Sequence, residues 1–142
     1  MMKILVVDRQ GGGIGGQLVA AIKENVTECS ITAVGTNAMA TSVMIKAGAT
    51  YAATGENAIV IGCRKTDVIV GPIGIVLADS MRGEVTSAMA LAVGQSSATR
   101  ILVPTNHCGT LVAGVADVSI GKLIQSVVKK LLTLQSGDES RD

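Results

Sequence analysis

Aromatic side chains are almost absent from this chain, whose 142 residues include no Trp, no Phe and a single Tyr, Tyr51. Single-strand nucleic-acid binders stack bases on aromatic platforms, and duplex binders present a basic footprint. An aromatic content of 1% and a formal net charge of +1 supply neither, which argues against nucleic acid as a partner. Cysteine is also scarce. Cys29, Cys63 and Cys108 are odd in number and show no C-x-x-C spacing, which suits reduced thiols rather than a disulfide framework. With His107 as the only histidine, no metal-ligand spacing exists and no metal is expected. Long apolar runs are missing too. The longest, residues 68–78, is broken by Gly71, Pro72 and Gly74 and flanked by Asp67 and Asp79, too short for a bilayer. Residues 1–7 run directly into Asp8 without the pattern of an export signal. The expectation is a cytoplasmic protein with no membrane association.

What the chain does have is apolar aliphatic material. Hydrophobic residues make up 48% against 16% charged, enough for one domain with a substantial core and too little charge for a strongly solvated surface. That balance favours a homo-oligomer. The domain is placed at residues 1–134. The polar tail Q-S-G-D-E-S-R-D, residues 135–142, is expected to be disordered.

The most informative stretch is K-I-L-V-V-D-R-Q-G-G-G-I-G-G-Q-L, residues 3–18, where an apolar run stops at an acid and opens into five glycines within six residues. The run suits a buried parallel strand, and Ile14, Leu18, Ala21 and Ile22 recur at helical spacing. Gly11, Gly13 and Gly16 satisfy G-x-G-x-x-G at the joint between the two, the context in which that pattern has a mechanism. Free N–H groups at the helix N-terminus then face an incoming anion.

A second strand-turn-helix unit follows at residues 30–48, with Thr36 or Asn37 as helix cap and Gly48 as the terminating glycine. Residues 54–65 read as a short helix, acidic at its start and basic at its end, and residues 67–70 as a strand. Gly71-Pro72-Ile73-Gly74 is expected to turn into an apolar helix ending near Arg82 and Gly83. A helix capped by Thr86 or Ser87, a strand at residues 100–103 and a short edge strand at residues 111–115 come next. The last helix carries Ile120, Leu123, Ile124, Val127, Val128 and Leu131 on one face. This alternation predicts an α/β fold: a three-layer Rossmann-like doubly wound sheet, mostly parallel, with a short edge strand after residue 110.

In such sheets ligands sit beyond the carboxyl ends of the strands, where the winding reverses. The segments placed there supply the candidate binding residues Gln10, Gly11, Gly12, Gly13, Ile14, Gly15, Gly16, Thr36, Asn37, Gly71, Pro72 and Asn106. Asp8, His107 and Cys108 are the catalytic candidates, with Asp8 more simply an acceptor for the loop's own amides. Asp79, Glu56 and Glu84 read as helix-end or surface carboxylates. The second strand ends V-G-T-N, without the acid that holds ribose hydroxyls in an NAD site and without an Arg for a 2′-phosphate. The cofactor is therefore left open: NAD(P) or another nucleotide. No Gly-Lys-Ser/Thr follows the loop, which argues against a P-loop NTPase, and Tyr51 lacks the Lys four positions on that a short-chain dehydrogenase needs.

The strings V-V-D-R-Q-G-G-G-I-G, G-T-N-A-M-A-T-S-V-M-I-K-A-G-A, A-T-G-E-N-A-I, G-P-I-G-I and I-L-V-P-T-N together resemble the family of small bacterial proteins called domain of unknown function 3842, over residues 2 to about 116. The resemblance implies a stand-alone Rossmann-like protein with no assigned activity, and no catalytic residue to carry over. In the family's form a glycine follows the first-strand acid where this chain has Arg9, which would add charge beside the pocket. Three readings of function remain: a binder of a nucleotide or other small phosphate-bearing ligand through the glycine loop, a small oligomeric enzyme with a shared inter-subunit site using His107 and Asp8, or a non-catalytic sensor or assembly subunit with a purely structural glycine rim.

Overall fold

A computed structural model of the chain describes residues 1–11, 13–105, 109–115 and 117–137. Five strands, β1 (Met2–Asp8), β2 (Cys29–Gly35), β3 (Tyr51–Thr54), β4 (Val68–Pro72) and β5 (Thr99–Val103), form one sheet in the order β3-β2-β1-β4-β5, and every pair is parallel. Among the described residues five α-helices accompany them: α1 (Gly13–Asn25), α2 (Ala38–Ala47), α3 (Glu56–Arg64), α4 (Ser87–Gln95) and α5 (Ile120–Gln135).

The continuous apolar run of β1 has a direct cause. Ile4 and Val6 pack under α1, α2 and α5 with Leu18, Ile22, Met44 and Leu131, while Leu5 and Val7 face the opposite layer with Ile59, Met89 and Val93 of α3 and α4. Both faces are covered over residues 4–7, so these four positions are apolar. The fold is a three-layer Rossmann-like α/β sandwich.

The helix caps lie where their chemistry requires. Asn37 Oδ1 accepts from the Ala40 amide at 2.8 Å, Thr86 Oγ1 from Met89 at 3.2 Å and Ser119 Oγ from Lys122 at 3.3 Å, each satisfying an orphan donor of a first turn. Gly48 closes α2 in the left-handed conformation at φ 112°.

Two expectations are corrected. Among the described residues no strand follows residue 110: within residues 109–115 the backbone is irregular, Leu111 is 82% exposed, and Gly114 takes a left-handed φ of 80° that breaks an extended run. The short edge strand is β3, paired with β2, and Thr54 ends it rather than beginning the helix, which starts at Glu56. Nor does a helix extend to residue 82. A single 3-10 turn, Ile73–Val76, gives way to a strap over residues 77–85 in which Asp79, Met81, Arg82 and Gly83 all have positive φ, a conformation no right-handed helix tolerates. Of the predicted polar tail, Gln135 belongs to α5 and residues 138–142 lie outside those described.

Candidate functional site

The chain winds from β1 outward to β2 and β3, then returns to β4 and β5 on the other side, so the reversal falls between β1 and β4. Their carboxyl ends carry the glycine loop and the turn after β4. This is the crevice in which open α/β sheets receive ligands.

Asp8 ends β1 and is buried. Its Oδ1 accepts from the Arg9 amide at 2.8 Å and its Oδ2 from the Gly15 amide at 2.6 Å, so the carboxylate caps the first turn of α1 from within. Burial pushes its pKa above the usual carboxylate range, and the two amide bonds and the Arg9 charge only partly offset that.

The glycines divide into two kinds. A Cβ added at Gly15 would lie 2.7 Å from Asp8 Cβ and 2.8 Å from Met44 Sδ, and one at Gly16 would lie 2.7 Å from Val43 Cγ1. These two let α1 seat closely on Asp8 and α2. At Gly11 and Gly13 an added Cβ meets nothing within 4 Å. Among the described residues, no protein acceptor takes the amides of Gly11, Gly13 or Ile14. The left-handed position of the turn falls on Gln10, φ 47°, and not on a glycine.

Gln10, Thr36 and Asn37 converge, but on a partner that local sequence did not mark. The Gln10 amide donates to Glu84 Oε1 at 2.5 Å, Asn37 Nδ2 donates to the same oxygen at 2.8 Å, and the Thr36 hydroxyl donates to it as well. Asn37 Nδ2 also reaches the Gln10 carbonyl at 3.1 Å. Burial alone raises the pKa of Glu84. Hydrogen bonds from Thr36, Gln10 and Asn37, with the Arg9 charge, outweigh that and hold it below the usual value. The carboxylate missing from the end of β2 is thus delivered there by the strap, from positions 47 to 74 residues away in sequence.

Gly71 and Pro72 are buried in the end of β4, where Gly71 lies against the Val7 carbonyl. They shape the crevice from below. Arg9, outside the candidate binding set, is 7% exposed and lies beside Gly74. Gly12, Asn106, His107 and Cys108 lie outside the described residues. Among the described residues no group of three or more His, Cys, Asp or Glu is placed to hold a metal, and no helix is long and apolar enough to cross a membrane. A groove of about 590 Å³ between α3 and α4, lined by Cys63, Arg64, Leu91 and Gln95, is remote from the rim.

Fold and rim together define a Rossmann-like α/β protein with a glycine-rich turn between β1 and α1. The chain belongs to the family described as Domain of unknown function (DUF3842), which it matches over residues 3–136, a span that takes in α5 as well as the characteristic loops. Among solved structures it is similar to a dodecameric FMN-dependent UbiX-like decarboxylase from Escherichia coli O157:H7, with 17% identity, TM-score 0.49 and 94% of each chain covered. It is also similar to a nucleoside-diphosphate-sugar epimerase from Pseudomonas aeruginosa, with 12% identity and TM-score 0.47; the match covers 94% of this chain and 46% of that one. No curated protein matches the chain.

Proposed function

We propose that the chain binds a nucleotide or other phosphate-bearing metabolite at the amino end of α1, through the backbone of residues 11–16. One observation carries this reading: Gly11, just ahead of a thirteen-residue helix, and Gly13, its first residue, stand in open space at the strand-order reversal. Backbone amides there can point at an oxyanion with no side chain in the way, and the helix dipole favours negative charge. Asp8 caps Gly15 and Glu84 caps Gln10, which leaves the amides of Gly11, Gly13 and Ile14 as the donors among the described residues. The Glu84 carboxylate, beside Thr36 and Asn37, supplies an acceptor for ligand hydroxyls at the end of β2. NAD(P) and mononucleotides are the cofactor classes to try first.

A calorimetric and thermal-shift panel of NAD, NADP, flavin nucleotides, adenylates and sugar phosphates tests the proposal. A ligand at a hundred times its Kd stabilises by about 2.7 kcal/mol, which for a chain of this size raises Tm by roughly 5–11 °C. A panel without any response overturns it.

Self-association belongs to the same reading. β3 is exposed at all four residues, Tyr51 at 65%, and the adjoining α2 exposes Met39 at 68% and Ile45 at 53%. An uncovered apolar sheet edge of this kind is a surface for another copy of the chain. Sedimentation of the purified protein is expected to show an oligomer, and a strict monomer would contradict this element.

A further inference from the structure

Arg9 follows the last residue of β1, at the β1/β4 reversal, and two of its three guanidinium nitrogens are buried without a hydrogen-bond partner. The residue is 7% exposed, and Nε and Nη2 are sealed from solvent with no hydrogen-bond acceptor. The carboxylates nearest in charge bond to backbone amides and rim side chains rather than to this guanidinium. Asp8 gives one oxygen to the Arg9 amide and the other to Gly15, and Glu84 Oε1 receives Gln10, Thr36 and Asn37. Both attract the guanidinium through space, but neither closes an ion pair with it among the described residues.

The turn after β4 is shaped around this side chain. A Cβ on residue 74 would lie 2.7 Å from Arg9 Nε and 3.1 Å from Nη2, so the guanidinium packs directly against the glycine and would have to move to admit a side chain there. Ser80 donates to the Gly74 carbonyl at 3.0 Å and holds the turn in place. Burying a cation with idle donors is strongly unfavourable, and folded proteins keep such groups where something else completes them. A guanidinium matches a phosphoryl or carboxylate group with two parallel hydrogen bonds.

We infer that Arg9 receives a second oxyanion of the ligand, so that the metabolite carries two anionic groups, one at the amino end of α1 and one at the β1/β4 reversal. This rests on the phosphate-binding reading above. Both nitrogens lie beneath the surface, so engagement involves a local shift of the turn after β4 or of the neighbouring strap. The second group is phosphoryl or carboxylate, and the choice of probes separates these.

Calorimetry on the full chain compares inorganic phosphate with pyrophosphate, AMP with ADP, and inorganic phosphate with 2-phosphoglycolate. The two-anion member of at least one pair is expected to bind about tenfold to hundredfold more tightly. An advantage for pyrophosphate and ADP identifies a phosphoryl group, and one confined to phosphoglycolate a carboxylate. Arg9→Gln should erase the advantage and leave single-phosphate binding in place, while Arg9→Lys should keep part of it. The ligand-free R9Q protein should melt no lower than wild type, because the substitution removes a buried unpaired charge. Equal affinities within every pair, or an advantage that survives in R9Q, overturns the inference while leaving phosphate binding intact. Failure of every probe, inorganic phosphate included, overturns both. The comparison of wild type with R9K stands even where R9Q does not fold.

Discussion

Gly15→Ala and Gly13→Ala add the same methyl group to the same helix two residues apart, and opposite outcomes are expected. At position 15 the new Cβ falls 2.7 Å from Asp8 Cβ and 2.8 Å from both Asp8 Oδ2 and Met44 Sδ, where ordinary contact is about 3.5–4.0 Å. Asp8 cannot step aside, since its oxygens hold the amides of Arg9 and Gly15. α1 must therefore lift away from the end of β1, with a packing cost of about 1–3 kcal/mol and a weakened charge-assisted hydrogen bond worth about 1.5–3 kcal/mol. Alanine's better helix propensity returns about 1 kcal/mol. The net expectation is a loss of about 2–4 kcal/mol, a fall in Tm of roughly 5–15 °C. At position 13 nothing lies within 4 Å, so propensity acts alone and Tm should rise by roughly 1–3 °C. The same Gly13→Ala protein should lose phosphate binding, because its methyl group stands where the ligand approaches. Calorimetric melting of the three proteins decides the matter. A Gly15→Ala protein as stable as wild type, or a Gly13→Ala protein destabilised as much as its neighbour, would refute the division of the glycines into packing and open positions.

Acid titration of Glu84→Gln tests the strap's anchor. Glu84 is held below its usual pKa, so its contribution is present above the unfolded value and lost as pH falls through the folded one. Asp8 is shifted upward and works the other way, favouring the folded state as pH falls toward its usual value. The variant should be less stable than wild type near pH 6, with the gap closing below about pH 4. A gap that does not change with pH contradicts the assignment. Cys63 is buried against α4, and desolvation pushes its thiol up to about 11. It should resist alkylation at about pH 8 in the folded protein and react fully in denaturant, as read by mass spectrometry; rapid labelling of the native protein would contradict the packing.

Periodicity and punctuation made much of the fold legible. β1 and α1 were readable because a doubly covered strand must be apolar throughout and α1 keeps one stripe; Asn37, Gly48 and Thr86 marked helix ends by chemistry local to each turn. β3 was not readable, because Y-A-A-T is short, exposed at every residue and shows no alternation. The run I-G-I-V-L-A suggested a helix, yet the left-handed residues that end it, Asp79, Met81 and Arg82, carry no local signal for that conformation. Glu84 and Arg9 escaped the candidate binding set for a related reason. One owes its role to partners 47 to 74 residues distant, and the other to burial beside Gly74, and neither relation has a spacing that sequence can display.

Ligand binding at the rim comes down to a few backbone hydrogens, and amide-resolved NMR during titration with inorganic phosphate and then ADP observes them directly. The amides of Gly11, Gly13 and Ile14 are expected to move first and furthest, while that of Gly15, bonded to Asp8, moves little. Saturating phosphate that leaves all three unmoved, or shifts centred on the groove between α3 and α4, would contradict that expectation.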